Sequence, residues 1–472
     1  MTDTTALDTA GPAPRPLYSE AYSNWVVVAL MLVYTSNFID RTIVATISQA
    51  IKIDMKITDF QVGLLGGLSF AVLYTILAIP LARVADRHNR VTIISVSLAV
   101  WSGMTALCGL ASTFLLLLLC RVGVGIGEAG CTPSAQSLIA DYYTPAKRAT
   151  ALSIYSFGIP LGAMIGAISG GLLTQRFGWR VAFVVVGLPG LLLALLVKAT
   201  VREPPRGYSE PSGTVDPTPA PSLLAVARRL FGSRSFRHMT AGVTLVSFAG
   251  YGIGAFANLY FQRRFGLNYA QVGVIFGLIG GVSTGAGTIL GGWIADRLGK
   301  ADWRWYAWTP AIGVAIAAPL SLCVYLAPSW TMAAAIAILP GVFGYTYLGP
   351  TWGVLHNLVE PRSRATATAL LFFVLNFIAL GGGPPITGAL IDFIGKRLFA
   401  ARGLGDFLVQ CPGGVAAHPA MTLACHASLW HATQYGIILT MITYVWGSLH
   451  YVLAARTIRA DMAAAGVVQA QA

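Results

Sequence analysis

The sequence predicts an all-α polytopic membrane protein, with twelve transmembrane helices in two six-helix pseudo-symmetric halves. Three observations predict it. Of the 472 residues, 56% are hydrophobic and only 10% are charged, and mean hydropathy is +0.68. A soluble domain carries about 25% charged residues. Apolar runs long enough to cross a bilayer recur along the whole chain. A short charged pattern also occurs twice, at Ala82–Arg90 and at Gly292–Lys300, after the second and eighth of those runs.

Residues 1–21 are polar and Pro-rich and read as a cytoplasmic tail with no signal peptide. Six apolar spans follow, at about 23–47, 59–82, 91–112, 114–140, 149–174 and 180–200, and make an N-terminal half over 22–200. Residues 201–237 break the pattern. Their EPPRGYSEPSGTVDPTPAP stretch is a Pro-rich linker, and Ser222–Phe231 after it sets apolar residues on one side and Arg228 and Arg229 beside them. That pattern predicts a short interfacial helix. Six further spans, at about 239–262, 270–294, 305–326, 330–357, 364–394 and 430–455, make a C-terminal half over 238–455, and 456–472 form a second cytoplasmic tail.

Net charge is +13. Such a balance can mark a nucleic-acid binder, but here the basic residues are scattered over many short loops, so no nucleic-acid partner is expected. Loops after even-numbered spans hold most of the Lys and Arg, which predicts both termini in the cytoplasm. Lys52, Lys56, Arg263 and Arg264 count among the loop charges on the opposite side.

The fourth span carries charge where a bilayer-crossing helix disfavours it. Arg121 and Glu128 stand seven residues apart, on one helical face and about 10 Å apart along the axis. Asp40 and Arg41 lie in span 1. At about 3 kcal/mol each, four unpaired charges would cost on the order of 12 kcal/mol, comparable to the net stability of a whole domain. They must pair or be hydrated, and intramembrane ionisable groups usually mark substrate or proton paths. Desolvation favours a protonated carboxylate and a neighbouring arginine opposes it. Moving the arginines relative to the acids therefore links proton binding to conformation. Asp40 and Glu128 are the expected proton acceptors, and Arg41 and Arg121 the charge partners or anion anchors.

The repeated loops resemble the G-x-L-A-D-R-x-G-R-R motif of the major facilitator superfamily, with Ala82 and Asn89 in place of the motif's glycines in the first copy. Arg121–Gly125 resembles that superfamily's fourth-helix R-x-x-x-G motif. NFIDRT (Asn37–Thr42), RVGVGIGEAGCTPSA and DYYTPAKRATALSIYSFGIPLG together resemble the spinster-like family. The resemblance implies alternating access and an amphiphilic anionic lipid substrate, of the lysophospholipid or sphingosine-1-phosphate kind. It supports the same proton-coupling positions. It also implies that Asp86, Arg87 and Arg90, with Asp296, Arg297 and Lys300 in the second copy, help hold the outward-open state.

Other features are weighed more briefly. Gly125, Gly127 and Gly130 spell G-x-G-x-x-G, but between transmembrane segments the spacing serves close helix approach, not dinucleotide binding. Glycines recur every fourth residue at 158–170 in span 5 and at 273–285 in span 8, positions that match between the halves. The second half shows no comparable buried charge. Its aromatic and polar residues in spans 7, 10 and 11 offer a wall for an amphiphile, with Tyr347, Phe373 and Asn376 as substrate contacts. Cys411 and Cys425 fall in the long non-cytoplasmic loop before span 12 and are expected to form a disulfide. No metal-ligand cluster and no nucleophile–base pair stands out, so no enzyme activity and no cofactor beyond the coupling proton is expected. The reading is a monomeric, proton-coupled secondary transporter in a bacterial inner membrane, in contact with membrane lipids. A proton-coupled drug or organic-anion antiporter is the alternative within the class. A lipid-acting membrane enzyme or a non-transporting receptor is the alternative outside it.

Overall fold

The computed structural model describes residues 18–206, 208–209, 222–360 and 363–465, without the side chains of residues 79, 82, 83, 86, 145, 146, 149 and 365. Within these, twelve helices are long and apolar enough to cross a membrane: spans 1 to 6 at Glu20–Met55, Asp59–Ala78, Arg90–Cys108, Phe114–Tyr142, Thr150–Phe177 and Trp179–Thr200, and spans 7 to 12 at Arg234–Phe265, Tyr269–Gly299, Trp305–Leu326, Trp330–Asn357, Thr366–Ala400 and Pro419–Ala464.

Local chemistry sets several of these boundaries. The Ser19 side chain caps span 1 by accepting from the Tyr22 backbone N–H. Thr58 with Gln61, and Asn268 with Gln271, form reciprocal capping boxes at the starts of spans 2 and 8. Gly266 ends span 7 at φ +67°, a conformation that favours glycine. The linker helix forms at Leu223–Gly232, burying Val226 and Leu230 and leaving Leu223, Leu224 and Phe231 exposed. Span 11 contains a π-helical segment at Leu375–Leu380 that holds Asn376.

Three sequence boundaries move. Span 1 runs on to Met55, because the chain beyond residue 47 is apolar enough to stay helical and buries Lys52. The last helix continues to Ala464, with Ile458 and Met462 buried, so most of the expected tail at 456–472 is ordered helix and 466–472 lie outside the described residues. Cys425 sits in the first turn of the helix Thr422–Thr440, not in a loop, and is disulfide-bonded to Cys411. Residues 1–17 and 210–221, most of the first tail and of the linker, lie outside the described residues.

The two halves meet unevenly. At the end away from the termini, one apolar core joins them, with Ile43, Ile51 and Val62 of the first half packed into the same cluster as Phe256, Tyr260 and Ile391 of the second. At the end that carries the termini the core is split in two. One cluster belongs to the first half, with Leu380 added, and another to the second.

The glycines trace the same opening. A Cβ on Gly63 would lie 2.3 Å from the Pro384 carbonyl oxygen, and one on Gly388 would lie 2.2 Å from that of Asp59, so spans 2 and 11 touch backbone to backbone. On the other seam, a Cβ on Gly273 would meet the Ala167 carbonyl at 2.4 Å, one on Gly281 meets nothing nearer than 3.7 Å, and one on Gly285 meets nothing within 4 Å. Spans 5 and 8 therefore splay towards the terminal end. Span 5's own stripe, Gly158 to Gly170, faces Met31 to Ile43 of span 1 within its half; it is Gly171 that meets span 8.

Candidate functional site

Span 4 is interrupted just past its middle. Its first helix ends at Glu128, Ala129 and Gly130 form a turn, and the second begins at Cys131. The break sets Glu128, fully buried, against span 1. Its Oε2 accepts from Arg41 Nε at 2.9 Å and lies 2.8 Å from Arg41 Nη2. Glu128 Oε1 has no hydrogen-bond partner, nor does the nearby Asn37 Oδ1.

Asp40, the residue before Arg41, is 1% exposed, and neither carboxylate oxygen has a hydrogen-bond partner. Trp101 Nε1 and Thr105 Oγ1 of span 3 lie near this carboxylate and are themselves unpaired. Arg121, 2% exposed, makes only long contacts, 3.5 Å to the Asp40 backbone carbonyl and 3.4 Å to that of Leu65. The structure thus brings all four sequence-predicted charges together, with one firm pair and one loose acid–base neighbourhood.

Arg41 is the only member of the four with sizeable access, its side chain 24% exposed against 0% for its partner Glu128. Its guanidinium lies over three rings, Phe70 at 4.6 Å, Tyr74 at 4.9 Å and Phe38 at 5.3 Å. Phe70 is shared, since Arg121 lies 6.0 Å from its centroid. Cation–π contacts keep a guanidinium charged away from water while leaving its N–H edges free to bind. The aromatic ring around Arg41 has no signal in the sequence, because Phe70 and Tyr74 read as ordinary apolar positions of span 2.

The second half contributes differently from expectation. Tyr347 is buried and its hydroxyl lies 3.1 Å from Ser247 Oγ within the core of its own half, so it packs instead of lining a wall. Tyr251 of span 7 and Tyr345 of span 10 are exposed instead, at 42% and 36%, and Tyr251 is within electrostatic reach of both Arg41 and Tyr345. Phe373 is exposed and stacks on Phe377 with centroids 6.1 Å apart, and Asn376 lies half-buried in the π-helical segment between them.

Of the repeated loop motif, the Asp86 side chain lies outside the described residues and Arg87 is exposed. Arg90 is fully buried and binds Asp141 and Glu203, each at 2.6 Å, and the Ser137 side chain and carbonyl. In the second copy Asp296 accepts from the Tyr306 hydroxyl at 2.8 Å, Arg297 lies over Trp293, and Lys300 is exposed. Arg90, Asp296 and Arg297 each contact their own half. The sequence repeat has one member locked in an ion-pair network and the other at the surface.

A second charged cluster corrects the expectation that the other half lacks buried charge. Arg263 of span 7, 5% exposed, donates to Asp59 at 2.7 Å and 3.3 Å, to Gln49 at 2.9 Å and to Thr433 at 2.7 Å. Lys52, buried and not in a loop, lies 2.6 Å from Asp59. Asp392 of span 11 accepts from the backbone N–H groups of Asp59 and Phe60, capping span 2 from the other half. Among the described residues, every hydrogen bond that joins the two halves lies at this closed end. The disulfide loop lies over it, with Gly413 at φ +64° against the Lys52 carbonyl.

The chain is therefore open towards its terminal end and shut at the other. Known proteins share this form. Residues 30–384 match the Major Facilitator Superfamily. An MFS-type efflux pump of Mycolicibacterium smegmatis is 33% identical over 82% of this chain and 88% of its own length. Protein spinster homolog 1 of Xenopus tropicalis is 30% identical over 80% of this chain and 74% of its own. Among solved structures, a bacterial homologue of the human lysosomal transporter spinster, in an inward-facing and unoccupied conformation, is 35% identical and superposes with a TM-score of 0.88 over 94% of this chain and 99% of the other. Its inward-facing, occupied form gives 0.85. The chain belongs to the major facilitator superfamily and, within it, to the spinster-like transporters, which work by alternating access.

Proposed function

We propose that this transporter couples proton movement to the passage of an amphiphilic anionic lipid, a lysophospholipid or a sphingosine-1-phosphate-like molecule. One observation carries the reading: Arg41, ringed by aromatics and partly open, pairs with Glu128 beside a second buried acid, Asp40, that has no close ion pair among the described residues. An anionic headgroup that engages Arg41 competes with Glu128 for it, and a proton on Glu128 releases the arginine. Asp40 takes up a proton without breaking a close ion pair. The exposed Tyr251, Tyr345 and Phe373 supply an apolar wall for the chain of the amphiphile. The likeness to spinster proteins supports the substrate class.

The protein sits in this proposal in a bacterial inner membrane with both termini in the cytoplasm, an orientation supported by the Lys and Arg bias of its loops. The repeated loop motifs help hold the outward-open state, in which the terminal end is closed. A second reading, a proton-coupled antiporter of drugs or organic anions, is favoured by the likeness to the mycobacterial efflux pump.

Proteoliposomes with an internal pH dye test both. Addition of lysophospholipids is expected to move protons in the parent protein and not in Glu128→Gln or Asp40→Asn. Proton movement that survives both substitutions removes these acids as coupling groups. A response to organic anions or cationic dyes, with silence for every lipid, selects the antiporter.

A further inference from the structure

We propose that a groove between spans 9 and 12, on the outer wall of the second half, is a binding site for an anionic membrane phospholipid. Spans 9 and 12 pack on each other within the second half and away from the seams with the first. Ser448 Oγ donates to the Ala311 carbonyl at 2.9 Å and fixes their register. Just towards the terminal end from that contact lies a cavity of about 270 Å³ lined by Arg304, Trp308, Val452, Ala455 and Arg456.

The cavity is cationic and its charges are at most weakly paired. Its lining holds two arginines and no acid. The acid beside it, Asp302, is engaged by Arg459 through both oxygens, at 2.8 Å and 2.7 Å, and meets the Arg304 side chain only at 4.0 Å. Arg456 meets no carboxylate among the described residues. Two exposed guanidiniums over an apolar floor suit a phosphodiester, which accepts several N–H bonds at once.

Below the arginines the groove becomes apolar. Trp308, Ile312 and Ile316 follow at four-residue steps on span 9, and Val452, Leu449 and Val445 descend span 12 on the facing side. Ile312, Ile316, Leu449 and Val445 are all more than a third exposed. Charge at the membrane surface, an indole beside it and an exposed apolar track beneath match headgroup, interface and acyl chain in order. A free anion would need only the arginines, so the track argues for a lipid. The site is separate from the Arg41–Glu128 site and does not depend on the transported substrate.

Native mass spectrometry of the delipidated full-length chain tests it, with dioleoyl phosphatidylglycerol, dioleoyl phosphatidylcholine and inorganic phosphate as probes. The parent is expected to retain one phosphatidylglycerol and to prefer it over phosphatidylcholine by about thirtyfold, from two arginines near the membrane surface. The adduct should vanish in Arg304→Ala with Arg456→Ala, and also in Val452→Trp, which fills the floor and keeps both charges. It should persist in Arg41→Gln, which alters only the central site, and in Arg397→Ala at the far end. Equal retention of phosphatidylcholine, an adduct unchanged in Val452→Trp, or loss in Arg41→Gln overturns the proposal. Displacement by inorganic phosphate at equal concentration overturns the lipid in favour of a free anion.

Discussion

Two buried charge clusters share span 1, about 16 Å apart along its axis, and they differ in how well they are satisfied. Around Lys52, Asp59 and Arg263 each charge has a partner within 2.7 Å, and Gln49, Thr433 and the backbone cap from Asp392 complete the set. Around Asp40, Arg41, Arg121 and Glu128 only one pair is tight, and three carboxylate oxygens have no donor. A saturated network of buried charges holds one arrangement, because removing any partner leaves an uncompensated charge. An unsaturated one changes state at lower cost. The first cluster spans both halves and reads as a latch. The second lies within one half and reads as a switch.

The largest expected effect follows from breaking the latch. Arg263→Ala should cost about 3–5 kcal/mol, the usual penalty for removing one partner of a buried pair. Part of that loss should appear as opening of the shut end. Spin labels at positions 110 and 409, exposed residues on opposite halves near that end, should move apart, and thermal stability should fall. Unchanged melting and an unchanged distance would show that the apolar core alone keeps the end shut.

The switch should respond in function more than in stability. Glu128→Gln is expected to reduce transport on the order of tenfold to a hundredfold, the usual range of a coupling energy. Asp40→Asn should reduce it similarly yet leave the melting temperature close to that of the parent, because Asp40 gives up no close ion pair and asparagine keeps an acceptor oxygen for Trp101 and Thr105. Asp59→Asn, by contrast, loses two charged partners and should melt earlier. If Asp40→Asn and Asp59→Asn lower stability equally, the contrast between the clusters fails.

These two clusters were not equally legible. Asp40, Arg41, Arg121 and Glu128 interrupt long apolar runs, and that anomaly is visible without any fold. Lys52, Asp59 and Arg263 fall at the ends of apolar runs, where charge is ordinary and reads as loop. What makes them a site is that residues 204 apart meet when the halves close. Asp392 likewise falls near the end of its apolar run, and no partner in sequence says what it caps. The aromatic wall shows the same limit. Spacing gives Tyr345 and Tyr347 equal standing, and only packing turns Tyr347 inward to Ser247. The duplicated loop was plain in sequence, whereas the burial of Arg90 depends on Asp141 and Glu203 arriving from elsewhere.

The seams offer a gentler perturbation of the shut end. Gly388→Ala places a methyl against the Asp59 backbone, which cannot yield as a flexible side chain would. Overpacking of this kind costs about 1–3 kcal/mol, all of it in the state where spans 2 and 11 are closed. The labels at 110 and 409 should separate, though less than in Arg263→Ala.

The smallest effect is expected at Gly285, and it separates a moving seam from static packing. In this structure a Cβ there meets nothing, so Gly285→Ala should change melting by no more than about 0.5 kcal/mol. Gly285 nevertheless continues the stripe of Gly273, Gly277 and Gly281, and nothing in the open form requires a small residue at that position. Alternating access supplies the requirement, because closing the terminal end carries spans 5 and 8 together along the part of the seam that is now apart. Gly285→Leu should therefore leave melting near the parent value while slowing transport, and labels across the terminal end should no longer reach their short distance. If transport is undisturbed by leucine, the stripe serves only to pack the open form, and the seam does not close at this level.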